Sequence, residues 1–124
     1  MGTGGGELLK TFHHPSNKTQ VTEAWQPNIN ILKHTIAKQG IKVHALPAKH
    51  EDALPVKNGS LNMITNSHAA FNPKLIKDKL KTGGYFISQQ AGALVDCKIN
   101  PNSVRINFTI YQNRTRFFYE SYFL

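Results

Sequence analysis

An α/β fold with a mostly parallel sheet is the architecture this sequence predicts, and three observations carry the prediction. Helical and strand patterns alternate through residue 90, as they do where helices cover the faces of parallel strands. A glycine-rich stretch, Gly2-Thr3-Gly4-Gly5-Gly6, runs straight into an apolar helical pattern. The 124 residues are 40% hydrophobic and 18% charged, which suits one ordinary globular domain with its own core.

The elements follow in order. Gly5 to His14 reads as a short helix with Leu8, Leu9 and Phe12 on one face and a stop at Pro15. Gln20 to Ala24 is a short strand. Pro27 opens a helix, where its missing N–H costs nothing. Ile29, Leu32 and Ile36 give that helix a buried stripe, and Gly40 ends it. Ile41 to Leu46 alternates as a strand does. Residues 50–56 are loop, and Asn58-Gly59 signals a turn. Leu61 to Thr65 is the next strand. Asn72 caps a helix begun by Pro73, with Leu75, Ile76 and Leu80 inward. Gly83-Gly84 turns the chain into a strand from Tyr85 to Ser88.

The composition changes after residue 90. All three arginines (Arg105, Arg114 and Arg116) and seven of the twelve aromatics lie in the last twenty residues, so residues 91–124 stand apart from 1–90. Val104, Ile106, Phe108 and Ile110 alternate, and Gln112-Asn113 could turn them into a C-terminal antiparallel hairpin. The competing reading is a tail from a shifted frame with no evolved partner in the fold. On either reading the shift in composition predicts poor packing beyond about residue 91.

Function classes narrow in the same way. No apolar run nears the roughly 20 residues of a membrane span. The start is not basic-then-apolar, so it is no secretory signal. Cys97 is the single cysteine, which excludes an internal disulfide and suits a cytoplasmic protein. His13 and His14 are adjacent and point about 100° apart on a helix, and no His-x₃-His pair exists, so no metal site is expected. The net charge of +8 attracts polyanions without specificity, although scattered lysines equally make a solvated surface.

The glycine stretch can hold a ligand, because glycine backbone approaches closely and the next helix presents free N–H groups. The dinucleotide fingerprint fails, since Glu7 stands at its third glycine. The phosphate loop fails for want of its lysine. What remains is G-x-G-x-G from Gly2, Gly4 and Gly6. Seventeen residues past Gly6, at the end of the next strand, stands Glu23, where a carboxylate can accept ribose hydroxyls. Alternatively, Glu23 is a surface acid at a strand end. Trp25 either walls an adenine or staples the next helix. Asn66 and His68 follow a strand at the carboxyl edge where open α/β sheets bind ligands. There, His68 is a base, a wall of the pocket, or a loop histidine with no role.

In this order the pieces resemble the class I S-adenosylmethionine-dependent methyltransferases. Residues 1–6 match the family's D-x-G-x-G-x-G from its second position. Thr22-Glu23-Ala24 is similar to the acidic end of the second strand. Asp52-Ala53-Leu54-Pro55-Val56 and Asn58-Gly59-Ser60-Leu61-Asn62 resemble E-x-L-P-F … D-G-S-F-D. Leu80-Lys81-Thr82-Gly83-Gly84-Tyr85-Phe86 resembles the L-K-P-G-G turn. The resemblance covers residues 1–90 and implies a Rossmann-like sheet, with S-adenosyl-L-methionine held by Gly2, Thr3, Gly4, Gly6, Glu23, Ala24, Trp25 and, at the adenine, Glu51 or Asp52. It implies Asn66 and His68 at the methyl-transfer centre. The acceptor is an unidentified small molecule or RNA.

Four departures qualify it, and the first is His50, which stands where the family often has Asp in the adenine-binding loop. The acid opening the glycine motif would precede Met1, Asn62 replaces the usual aspartate, and Asn66-Ser67-His68-Ala69 stands where amino-group methylators carry Asn-Pro-Pro-aromatic. The expectation is therefore an N-terminally truncated domain lacking its first, central strand and having little activity. Its exposed sheet edges would be filled by Val104–Ile110 or by a second copy. The rival expectation is a non-enzymatic basic module whose Arg- and aromatic-rich tail stacks on single-stranded nucleic acid.

Overall fold

The computed structural model describes residues 1–50, 53–91, 106–112 and 120–123, with side chains through residue 89. The chain divides into two compact units, Met1–Pro55 and Val56–Leu124. The architecture is mixed α/β with short parallel strand pairs.

In the first unit, α1 (Glu7–Thr11) leads to β1 (Gln20–Glu23), α2 (Gln26–His34) and β2 (Lys42–Ala45). β1 and β2 pair in parallel, with Val21 opposite Val43 and Glu23 opposite Ala45. Helix α2 carries Pro27 in its first turn, one residue after its start at Gln26, and buries Ile29 and Leu32. It ends sooner than its periodicity suggests. At Thr35 the hydroxyl donates to the Ile31 carbonyl, the backbone leaves helical geometry, and a 3-10 turn carries Ile36 to Gly40. The stripe survives this break, because Val21, Leu32, Ile36 and Ile41 form one core with Leu9 and Val43 against it.

Helix α1 is a correction. It is five residues long, and Leu8 and Phe12 are half exposed. So short a helix presents one narrow face, and Leu9 takes it. The Thr11 hydroxyl donates to the Leu8 carbonyl and the Phe12 N–H to that of Leu9, closing the last turn before His13.

The second unit holds β3 (Leu61–Ser67), α3 (Pro73–Lys79), β4 (Leu80–Ala91), β5 (Ile106–Gln112) and β6 (Glu120–Phe123) in one sheet of order β3-β4-β5-β6. β3 and β4 are parallel, and the two later pairings are antiparallel. Ile64, Ile76, Leu80 and Phe86 are buried, and Phe71 meets Phe86 edge to face at 4.9 Å between centroids. Leu75, expected inward, is only half-buried.

Gly83-Gly84 does not precede a strand but lies inside one. Between the Leu61–Leu80 and Met63–Tyr85 pairs, β4 spends four residues opposite one of β3, an irregularity larger than the usual two-against-one bulge. Gly84 is required there. A Cβ would sit 3.0 Å from the carbonyl oxygens of Asn62 and Lys81 and 3.2 Å from that of Leu61, all of them backbone.

Asn72 caps α3 as expected, with its side-chain oxygen accepting from the N–H groups of Lys74 at 3.0 Å and Leu75 at 3.3 Å. Asn72→Ala is expected to cost about 1 kcal/mol. Urea unfolding checks this, and an unchanged midpoint would mean that the cap adds nothing.

The alternating segment after residue 105 forms β5, which pairs with β4 and with β6, each antiparallel. It therefore lies on the β4 edge and does not pair with β1 or β3, contrary to the expectation that it fills a missing central strand. The register explains this: seven successive residues of β5, Ile106 to Gln112, match Ala91 to Tyr85 of β4. Residue 113 of the expected turn lies outside the described residues, as do Cys97 and the three arginines. Among the described residues, β1 has no strand partner besides β2, and β3 none besides β4.

Candidate functional site

The first unit brings four of the expected residues together, Gly4, Glu23, Ala24 and Trp25. Glu23 ends β1 and is buried, and its carboxylate reaches back across nineteen positions to the glycine loop. Its Oε2 accepts from the Gly4 N–H at 3.1 Å. Its Oε1 accepts from the N–H groups of Ala24 and Trp25, both at 3.0 Å. The Asn28 amide nitrogen donates to Oε2 at 3.5 Å, the longest of the four contacts. Sequence reasoning missed Asn28. Its signal was an amide in the first turn of the helix that follows the acid.

This carboxylate sits just before the N-terminus of α2, where negative charge is favoured. Glu23 is thus no surface acid but the anchor of its own loop. The glycine loop is shaped by left-handed backbone at Gly2, Gly4 and Gly6, and the Gly6 N–H donates to the Thr3 carbonyl at 3.1 Å. Gly6 is buried against Leu32 and Ile36, whereas a Cβ on Gly4 would meet nothing within 4 Å. One end of the loop is therefore packed and the other opens onto free space. Trp25 is 62% exposed. Thr22, also buried, keeps a hydroxyl with no hydrogen-bond partner.

Asn66 and His68 lie in the second unit, at and just past the carboxyl end of β3. Asn66 is 3% exposed. Its amide nitrogen donates to the Ala69 carbonyl at 2.8 Å and to the Ser88 hydroxyl at 3.2 Å, joining β3 to β4 and to the turn that follows. Its side-chain oxygen is buried without a partner. His68 is exposed, takes a left-handed conformation with φ 59°, and donates its N–H to the Gln89 carbonyl at 2.9 Å. That backbone turns its side chain out of the strand. Glu51 and Asp52 lie outside the described residues.

Among the described residues, no three His, Cys, Asp or Glu side chains gather as metal ligands, and His14 instead bonds the Thr19 hydroxyl at 2.8 Å. No helix among them is long and apolar enough to cross a membrane. Compared with protein-family models, curated proteins and solved structures, the chain finds no match.

Proposed function

We propose that this chain is a class I S-adenosylmethionine-dependent methyltransferase domain that moves a methyl group to an unidentified acceptor. The observation that carries the reading is the 3.1 Å contact between the Gly4 N–H and Glu23 Oε2. It joins the glycine loop to the acid at the end of the neighbouring strand, the pair a nucleoside cofactor needs. The residues fit such a group. Glu23 offers a carboxylate to ribose, Gly4 leaves open space for the cofactor backbone, and exposed Trp25 offers a flat face to adenine.

S-adenosyl-L-methionine supplies an already activated methyl group on a sulfonium. The protein's task is then alignment, which can lower a barrier by about 7–11 kcal/mol when geometry is right. Glu23 and the loop hold the nucleoside end. In the second unit, taken by itself, Asn66 keeps the end of β3 in shape through its bonds to Ala69 and Ser88.

S-adenosylhomocysteine, titrated to millimolar concentration, is expected to shift the amide resonances of residues 2–6 and 23–25. Glu23→Ala is expected to weaken its binding by about 1–3 kcal/mol, through lost charge-assisted hydrogen bonds. Calorimetry at a temperature where circular dichroism shows the variant folded checks this. No shift at these residues would overturn the reading, and salt-dependent RNA binding in its place would favour a basic binding module.

A further inference from the structure

We infer that Asn28 is a specificity residue, which reads one ribose hydroxyl jointly with Glu23. The inference rests on the nucleoside site proposed above and adds to it a residue and a sugar preference.

Glu23 Oε1 is committed to two backbone donors at 3.0 Å, and Oε2 to the Gly4 N–H at 3.1 Å. The remaining contact, Asn28 Nδ2 to Oε2, is 3.5 Å long, at the outer limit of a hydrogen bond. It is the contact most easily exchanged. Asn28 is half-buried in the first turn of α2, so its side chain has room to withdraw. Gly4, on the same carboxylate oxygen, borders open space.

A carboxylate only accepts hydrogen bonds, and a primary amide nitrogen only donates them. A group entering between Oε2 and Nδ2 must therefore donate on one side and accept on the other. A hydroxyl does both. A C–H, as in a deoxy sugar, does neither, and it would leave the buried carboxylate oxygen and the amide facing an apolar group. Thus the pair selects a ribonucleoside over a deoxyribonucleoside. Glu23 alone would bond either hydroxyl of the diol, while Asn28 singles out the one that lies between the two side chains.

The probes are adenosine, 2′-deoxyadenosine and 3′-deoxyadenosine, and S-adenosylhomocysteine with its two deoxy counterparts. All are titrated by calorimetry into the full chain, into Asn28→Leu and into Asn28→Ser. The wild type is expected to lose about tenfold or more in affinity for one of the two deoxy forms, the scale of a hydrogen bond to a charged group. Asn28→Leu should weaken the ribose ligands and leave that deoxy form unchanged, so the preference collapses. Asn28→Ser, which keeps a donor, should restore part of it. A purely structural asparagine would lower all affinities together, and that result overturns the inference. So does equal treatment of ribose and deoxyribose forms, including no binding of any. If adenosine is preferred over a deoxyadenosine while the homocysteine moiety adds no affinity, the sugar clamp stands and the methyltransferase reading falls.

Discussion

Gly6→Ala is expected to destabilise the first unit by about 2–5 kcal/mol, the sum of a backbone and a packing cost. Gly6 holds φ at 86°, a left-handed conformation that costs an L-residue about 1–2 kcal/mol. The new methyl would stand 3.1 Å from Leu32 Cδ2 and 3.2 Å from Ile36 Cγ2. Those two side chains are fully buried, so neither can move into solvent, and overpacking of this kind costs about 1–3 kcal/mol. Gly4→Ala separates the two terms. It carries the same backbone strain at φ 59° but meets nothing within 4 Å, so the backbone cost alone, about 1–2 kcal/mol, is expected. Urea unfolding of both variants measures the difference. Equal losses would show that the loop does not pack on α2 as described.

Glu23→Ala should cost about 2–4 kcal/mol of stability, before any ligand is considered. The substitution removes the acceptor for three backbone N–H groups, those of Gly4, Ala24 and Trp25. Hydrogen bonds to a charged group contribute about 1.5–3 kcal/mol each, and water reaching the half-exposed loop recovers part of the loss. Glu23→Gln should fall between wild type and alanine. Its oxygen can serve Ala24 and Trp25, but its NH₂ then faces the Gly4 N–H, donor against donor. Amide exchange at Gly4 gives a local readout and should accelerate in both variants. Stability within about 0.5 kcal/mol of wild type in Glu23→Ala would show that the carboxylate does not hold the loop, since a change that small is what an uninvolved surface position gives.

Much of the fold could be read along the chain. Pro27 marked the start of α2 and Asn72 the cap of α3, because both act through their own backbone within one turn. Gly40 ends the segment after α2, with φ 86°. The misreadings have local causes too. Thr35 spends its hydroxyl on the Ile31 carbonyl, a competition that hydrophobic spacing does not reveal. Gly83-Gly84 looked like a turn between elements because glycine marks both turns and bulges.

The candidate site was half legible. Glu23 stood out by its distance from the glycines, and Gly4 does meet it. Asn28 left only the faint signal of an amide in the first turn after the acid, since its relevance depends on one helical turn swinging it over a carboxylate five residues earlier. Asn66 stood out by its place after a strand, but nothing in its neighbours announced that Ser88 and Ala69 would take both its amide protons.

By itself the sequence determined the alternation of helix and strand, the apolar stripe of α2 and the glycine loop followed by an acid, because periodicity, capping and positive φ are properties of a few adjacent residues. Tertiary structure alone decided which strands pair, that β5 joins the β4 edge, and how the Glu23 carboxylate is spent. Those outcomes depend on hydrogen-bond partners brought together from distant positions, and a pairing register has no local code beyond its two-residue alternation.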